Sequence, residues 1–260
     1  MILLPLLLGL LVGMAVNYLA DVLPQSRRLG RPVCPACAQP ISLLDYLPGR
    51  NCRQCGRGRA IRYWSVLIVL AAMSAYAWQQ PPAKLGFVPG LLLLGYFGTV
   101  FIIDMEHRLI LHITSLFGAI LSLALGWLAH GLTATLIGGL GGFLIMLALY
   151  GMGALFTRLR LRRMQASGAP GDDEEALGQG DVILGAILGF LLGWPLIWFG
   201  LLLGILLGGV FGLLFVLSML GRRRYRDQAL MTFMPYGPFF ILGAWLIVFL
   251  PQLLRLILPR

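Results

Sequence analysis

Read as apolar and polar positions, the chain consists of long apolar runs divided by a few short polar stretches. Apolar runs of roughly 20 residues are the mark of bilayer-crossing helices, because a helix rises about 1.5 Å per residue through a hydrocarbon core about 30 Å thick. This pattern predicts eight helices, at about 1–23, 62–80, 86–104, 110–129, 133–157, 180–194, 196–220 and 234–257. The break between the sixth and seventh rests on Gly193, Trp194 and Pro195 alone. Glycines crowd two of the runs (Gly138, Gly139, Gly141, Gly142; Gly200, Gly204, Gly208, Gly209, Gly212), as in helices that approach one another closely.

Composition agrees with the pattern. With 59% hydrophobic and 12% charged residues, the chain has too little polar surface to cover a water-soluble globule. The opening run, Met1 to Pro24, has no basic segment before it and is followed by arginines instead of a small-residue cleavage site, so it reads as a retained span. The net charge of +10 gathers in three polar stretches: Arg27, Arg28, Arg31, Arg50, Arg53, Arg57 and Arg59; Arg158, Arg160, Arg162 and Arg163; Arg222, Arg223, Arg224 and Arg226. Positive loops stay in the cytoplasm, which predicts an inner-membrane protein with all three stretches inside and both termini outside. Aromatic and amide side chains that read bases are sparse among these arginines, so the expected surroundings are lipid and not nucleic acid. The second stretch, 158–179, also carries the acidic run Asp172, Asp173, Glu174 and Glu175 and reads as a solvated linker.

All four cysteines fall in the first stretch as two pairs, Cys34-Pro-Ala-Cys37 and Cys52-Arg-Gln-Cys55. Two C-x-x-C pairs can present four thiolates to one tetrahedral zinc, and Gly56 suits the tight turn after the second pair. Disulfides are disfavoured on a reducing side of the membrane. With four sulfur ligands the metal has no open position and is structural. The expected fold is an all-α polytopic membrane protein of about eight transmembrane helices with a small cytoplasmic zinc-ribbon-like loop. Its parts are a first helix over 1–23, the four-cysteine module over 24–61 and a membrane domain over 62–260.

Among the ten acidic residues, Asp104 ends the third apolar run and Asp181 opens the sixth, after Gly178 and Gly180. The predicted topology brings both to the cytoplasmic face. Ionisable groups at such depth are costly and face a cavity or a partner. Two neighbouring carboxylates, one ionised and one protonated, can activate a water against a peptide carbonyl. Glycines at 178 and 180 would let a substrate backbone come close. Either aspartate alone is equally well read as a helix cap or an interfacial polar residue.

Taken together, these residues resemble the type IV prepilin peptidases, intramembrane aspartyl proteases of the GxGD class. The resemblance spans nearly the whole chain through Gly13-Met14-Ala15-Val16-Asn17, the paired cysteines, Arg62-Tyr63, Asp104-Met105-Glu106-His107-Arg108, Gly178-Gln179-Gly180-Asp181 and Met234-Pro235-Tyr236-Gly237-Pro238-Phe239. It implies cleavage of the leader from prepilins or pseudopilins after a glycine, with Asp104 and Asp181 as the catalytic pair. In many members it also implies methylation of the new amine by S-adenosylmethionine. The chain departs from the family pattern at Ile110-Leu111-His112, where Leu-Pro-Asp is usual, at Ile183 in place of a lysine, and at Trp64-Ser65-Val66, where a glutamate is usual. A non-catalytic membrane scaffold of a pilus or type II secretion machine, docking a partner through the cysteine loop, is the alternative.

Overall fold

The computed structural model describes residues 2–58, 60–82, 84–166, 178–221 and 235–252. Arg59, the acidic run 172–175, the arginines at 222–226, Met234, Arg255 and Arg260 lie outside the described residues. The described residues form helices joined by short turns, with no strand among them beyond one isolated bridge, Val33 to Pro40. The helices are α1 (Leu3–Ser26), α2 (Leu43–Tyr46), α3 (Ile61–Gln79), α4 (Phe87–His107), α5 (His112–His130), α6 (Leu132–Ala166), α7 (Gln179–Leu192), α8 (Leu196–Gly221) and α9 (Gly237–Phe249).

Six of these are long and apolar enough to cross a membrane: α1, α3, α4, α5, α6 over Leu132–Leu159, and α8 over Leu196–Ser218. The chain is a multi-pass membrane protein. The remaining two predicted spans are shorter apolar helices. Helix α7 has 14 residues and α9 has 13, each about 20 Å long at ~1.5 Å per residue and short of a full hydrocarbon core. Helix α7 begins after Gly178 and ends at Gly193, which has φ 70°, so the predicted break before α8 is present and trims α7 by two residues. A second difference concerns the stretch 158–179, which is helical as far as Ala166. Arginine, leucine, methionine and glutamine are strong helix formers, so the end of α6 runs on past the apolar boundary.

The chain divides into two compact units, Met1–Phe117 and Gly118–Arg260. In the first, α1 packs on α3 and α4. Gly9, Gly13, Val16, Asn17, Ala20 and Leu23 recur at helical spacing on the buried face of α1. A Cβ at Gly9 would stand 2.7 Å from the Ala71 Cα and the Leu70 carbonyl, so only glycine lets α1 and α3 come this close. In the second unit, α6 and α7 run antiparallel through two facing glycine pairs, Gly138 with Gly189 and Gly142 with Gly185. A Cβ on Gly138 would lie 2.5 Å from the Gly189 carbonyl, and one on Gly142 or Gly189 would strike the facing carbonyl outright. The same device joins α8 to α9, where a Cβ on Gly243 would lie 2.5 Å from the Gly200 carbonyl. The crowding of glycine in α6 is thus explained, whereas Gly209 and Gly212 of α8 face open space. His130 spans two turns of this unit, one ring nitrogen on the Leu191 carbonyl (3.1 Å) and the other on the Thr135 hydroxyl (3.2 Å).

Candidate functional site

The four predicted metal ligands come together. The sulfurs of Cys34, Cys37, Cys52 and Cys55 all lie within 4.8 Å of one another, and none is in a disulfide. Cys34 to Cys55 and Cys37 to Cys52 are each 3.7 Å apart. Sulfurs arranged tetrahedrally about zinc at about 2.3 Å stand ~3.8 Å from one another, so the donor set and its spacing fit a zinc ion.

Two matching turns build this cluster. In the first, Ala38 N–H donates to the Cys34 carbonyl (2.9 Å) and Cys34 N–H to the Gln39 carbonyl (2.9 Å); in the second, Gly56 N–H donates to the Cys52 carbonyl (2.8 Å) and Cys52 N–H to the Arg57 carbonyl (3.0 Å). Both turns put one residue in the left-handed region, Ala38 at φ 56° and Gly56 at φ 69°. Sequence reasoning anticipated the glycine; alanine in the equivalent place accepts a cost that glycine avoids.

The turns also prepare the thiols. Backbone N–H groups of Ala36 and Cys37 bring Cys34 down to about 6, and those of Cys55 and Gln54 lower Cys52. Cys37 also receives the lowering influence of the Gln39 N–H, yet burial and the neighbouring sulfurs push it up to about 12. Four sulfurs this close cannot all ionise without a cation among them. A divalent metal held by the four sulfurs would supply that charge and favour the thiolate forms that bind it.

The module's interior continues into the helices beneath it. Cys34, Ile41, Tyr46, Cys52, Tyr63 and Leu67 form one buried cluster, with Leu10, Met14 and Tyr18 of α1 packed against it. Tyr46 on the short helix α2 donates to the Asn17 carbonyl (3.1 Å) and reaches the Asp21 carboxylate; Tyr63 donates to the Leu47 carbonyl. Asn17 is fully buried and its amide donates to the carbonyls of Gly13 (3.1 Å) and Tyr63 (3.2 Å). Asp45 receives Arg53 at 2.9 Å and Arg50 at 3.4 Å, and the Arg53 guanidinium holds its carboxyl below the ordinary carboxylate range. Arg62, at the head of α3, pairs with Asp21 of α1 and, at 2.6 Å, with Glu106 of α4. Tyr46, Asp21 and Asp45 escaped the sequence reasoning about the site, and Glu106 entered it only as part of the family resemblance. Their only local signal is that they are carboxylates and a tyrosine beside apolar runs.

Asp104 belongs to the first unit. It is 5% exposed, in the last turn of α4, and its carbonyl takes the N–H of Arg108, which closes the helix in the left-handed region at φ 52°. Asp181 belongs to the second unit, in the first turn of α7. Its carboxylate accepts the Gly178 N–H at 3.0 Å, and its own N–H donates to the Gly178 carbonyl at 3.1 Å. The capping anticipated for Asp181 is therefore real, but the N-cap position itself is Gly178. One turn further on, Gly185 seats α7 on Met146 and Gly142 of α6. Gly178 is freer than a structural glycine needs to be: its φ is −91°, and among the described residues a Cβ there would meet nothing nearer than 3.9 Å. Gly180 lies in the first turn of the same helix.

Residues 91–213 match the family model described as the type IV leader peptidase family. The matched segment contains both Asp104 and Asp181, and the match supports an aspartic-type leader peptidase activity, with protein substrates, at the level of the family. No curated protein and no solved structure matches the chain.

Proposed function

From the membership of residues 91–213 in the type IV leader peptidase family, we propose that the chain is a prepilin peptidase. It cleaves the leader of prepilins or pseudopilins after a glycine, at the cytoplasmic face of the inner membrane, with Asp104 and Asp181 as its catalytic pair. The observation that carries this reading is Gly178. Neither its backbone conformation nor packing among the described residues requires glycine there, yet it precedes an aspartate that opens a helix inside the matched segment. A residue kept bare beside a carboxylate leaves room for a substrate backbone.

In this reading one aspartate is ionised and takes a proton from a water, whose oxygen attacks the scissile carbonyl carbon while the protonated aspartate donates to the carbonyl oxygen. Collapse of the tetrahedral species breaks the C–N bond, and the leaving amine takes a proton from the pair. Zinc, when bound, holds the module's shape and takes no part in these steps. The proposed parts remain a first helix over 1–23, the zinc module over 24–61 and a peptidase domain over 62–260. The arginine distribution supports placing the module in the cytoplasm, and a reporter fused after Gly30 that reads from outside would overturn that placement.

Methylation by S-adenosylmethionine is not assigned to a described cavity. The cavity beneath the module, lined by Asp21, Arg57, Arg62 and Glu106 among others, is about 230 Å³, smaller than the roughly 300–1,000 Å³ of sites that enclose such ligands.

Cleavage of a prepilin in detergent or liposomes tests the proposal. Asp104→Asn or Asp181→Asn is expected to remove most activity at normal protein level, with the double variant hardly worse, because members of a unit are non-additive. Near wild-type cleavage by Asp181→Asn would reduce that residue to its cap and favour the scaffold alternative. Gly178→Ala should fold normally and cleave more slowly.

A further inference from the structure

Away from the cysteine centre, the first unit holds an apolar groove of about 420 Å³ between α1, α4 and the start of α5. Val12, Ala15 and Leu23 form one wall, Tyr96 and Thr99 another, and Phe117 closes the third side. The two threonines that face it do so as hydrocarbon, since the Thr99 hydroxyl donates to the Gly95 carbonyl (2.8 Å) and the Thr114 hydroxyl to the Leu111 carbonyl (2.8 Å). From Val12 to Leu23 the groove follows twelve residues of α1, a rise of about 16 Å at ~1.5 Å per step. That is the depth of one leaflet, half of a core about 30 Å thick.

Arg28 and Leu29 stand at the shallow end. The turn that carries them is tied down: Arg27 N–H donates to the Leu23 carbonyl (2.9 Å), Arg28 N–H to the Ser26 hydroxyl (3.3 Å) and the Tyr18 hydroxyl to the Gly30 carbonyl (2.8 Å). Arg50, Arg53 and Arg62 each hold a carboxylate, whereas among the described residues Arg28 pairs with none.

We propose that this groove is a binding site for one anionic glycerophospholipid, its acyl chain along α1 and α4 and its phosphate on the Arg28 guanidinium. The leaflet depth and the Arg28 cation at one end fit a lipid. A peptide helix is about 10–12 Å wide and runs the full bilayer thickness, so it fits the groove poorly. The phosphate gives Arg28 the charge-assisted partner that the described residues do not.

Native mass spectrometry of delipidated full-length protein tests this, with phosphatidylglycerol and phosphatidylcholine of identical chains as probes. The first phosphatidylglycerol is expected to bind several-fold more tightly than the first phosphatidylcholine. Arg28→Gln should erase that preference and Arg28→Lys should keep most of it. Ala15 is exposed in the groove, so Ala15→Phe fills the space without disturbing a core and should weaken the first adduct of both lipids. Equal binding of the two lipids to the wild type, an unchanged preference in Arg28→Gln, or full lipid binding by Ala15→Phe would overturn the proposal. So would displacement of both lipids alike by a spanning apolar peptide, which would make the groove a helix site.

Discussion

The cysteine module and the α6–α7 pair are held together by opposite means. The module is too small to bury a core of its own, so it gathers four sulfurs and borrows Tyr63, Leu67 and Met14 from the helices beneath it. Its polar ties are many and directional. Helices α6 and α7 make contact through glycines and facing carbonyls. In a membrane there is little hydrophobic gain in moving apolar side chains from lipid to protein, so close backbone approach replaces it. One region is thus sensitive to its ligand and to charge, the other to volume alone.

Four perturbations separate these modes, the largest first. Cys34→Ser or Cys52→Ser should take zinc from about one per chain to near zero, since a structural zinc site contributes about 10–16 kcal/mol in small domains. Metal analysis beside limited proteolysis of residues 24–58 reads both consequences, and the α6–α7 pair should be untouched. Full zinc in either variant would remove the four-sulfur site. Conversely, Gly189→Leu should cost about 1–3 kcal/mol or more by forcing two backbones apart, lowering thermal stability while leaving metal content unchanged.

The third perturbation is acid. Arg53 and Arg50 hold the Asp45 carboxyl below its usual range, so Asp45 stabilises the folded module above the unfolded carboxylate value of about 3.9, and that contribution is lost as pH falls through the lower folded value. Wild type and Asp45→Asn should therefore differ most near neutral pH and converge in acid. Metal release is common to both and cancels in the comparison. A difference that stays constant to low pH would deny the carboxylate this role. The smallest effect is conformational: Ala38→Gly should stabilise the module by about 1 kcal/mol or less, and Gly56→Ala should destabilise it by about 1 kcal/mol, both read by chelator competition.

What could be read from the sequence was local. Apolar run length gave the helices, and the spacing of Cys34, Cys37, Cys52 and Cys55 gave the metal cluster, because both are periodicities within a short segment. The short α7 was harder. It stops at Gly193, two residues short of the predicted end, although the apolar letters run on into Trp194. The ties from Tyr46 to Asn17 and from Arg62 to Asp21 and Glu106 join residues up to 44 positions apart, and no local pattern pairs them. Asn17, Arg62 and Tyr63 were visible only as parts of a family resemblance; the structure supplies their work, which is to seat the module on α1 and α3 and, through Arg62, to tie α3 to α4.

Arg62 is the point where that seating meets the rest of the first unit. It stands next to Tyr63 of the module's core, and its two nitrogens engage the ends of α1 and α4. Glu106, the α4 partner, follows Asp104 by two residues. A metal held by the module would therefore be thermodynamically linked to the order of the α4 terminus, and linkage is reciprocal. Stripping the zinc should raise amide hydrogen exchange at Asp104–Arg108, and anything that fixes Asp104 from outside should make the zinc harder to remove.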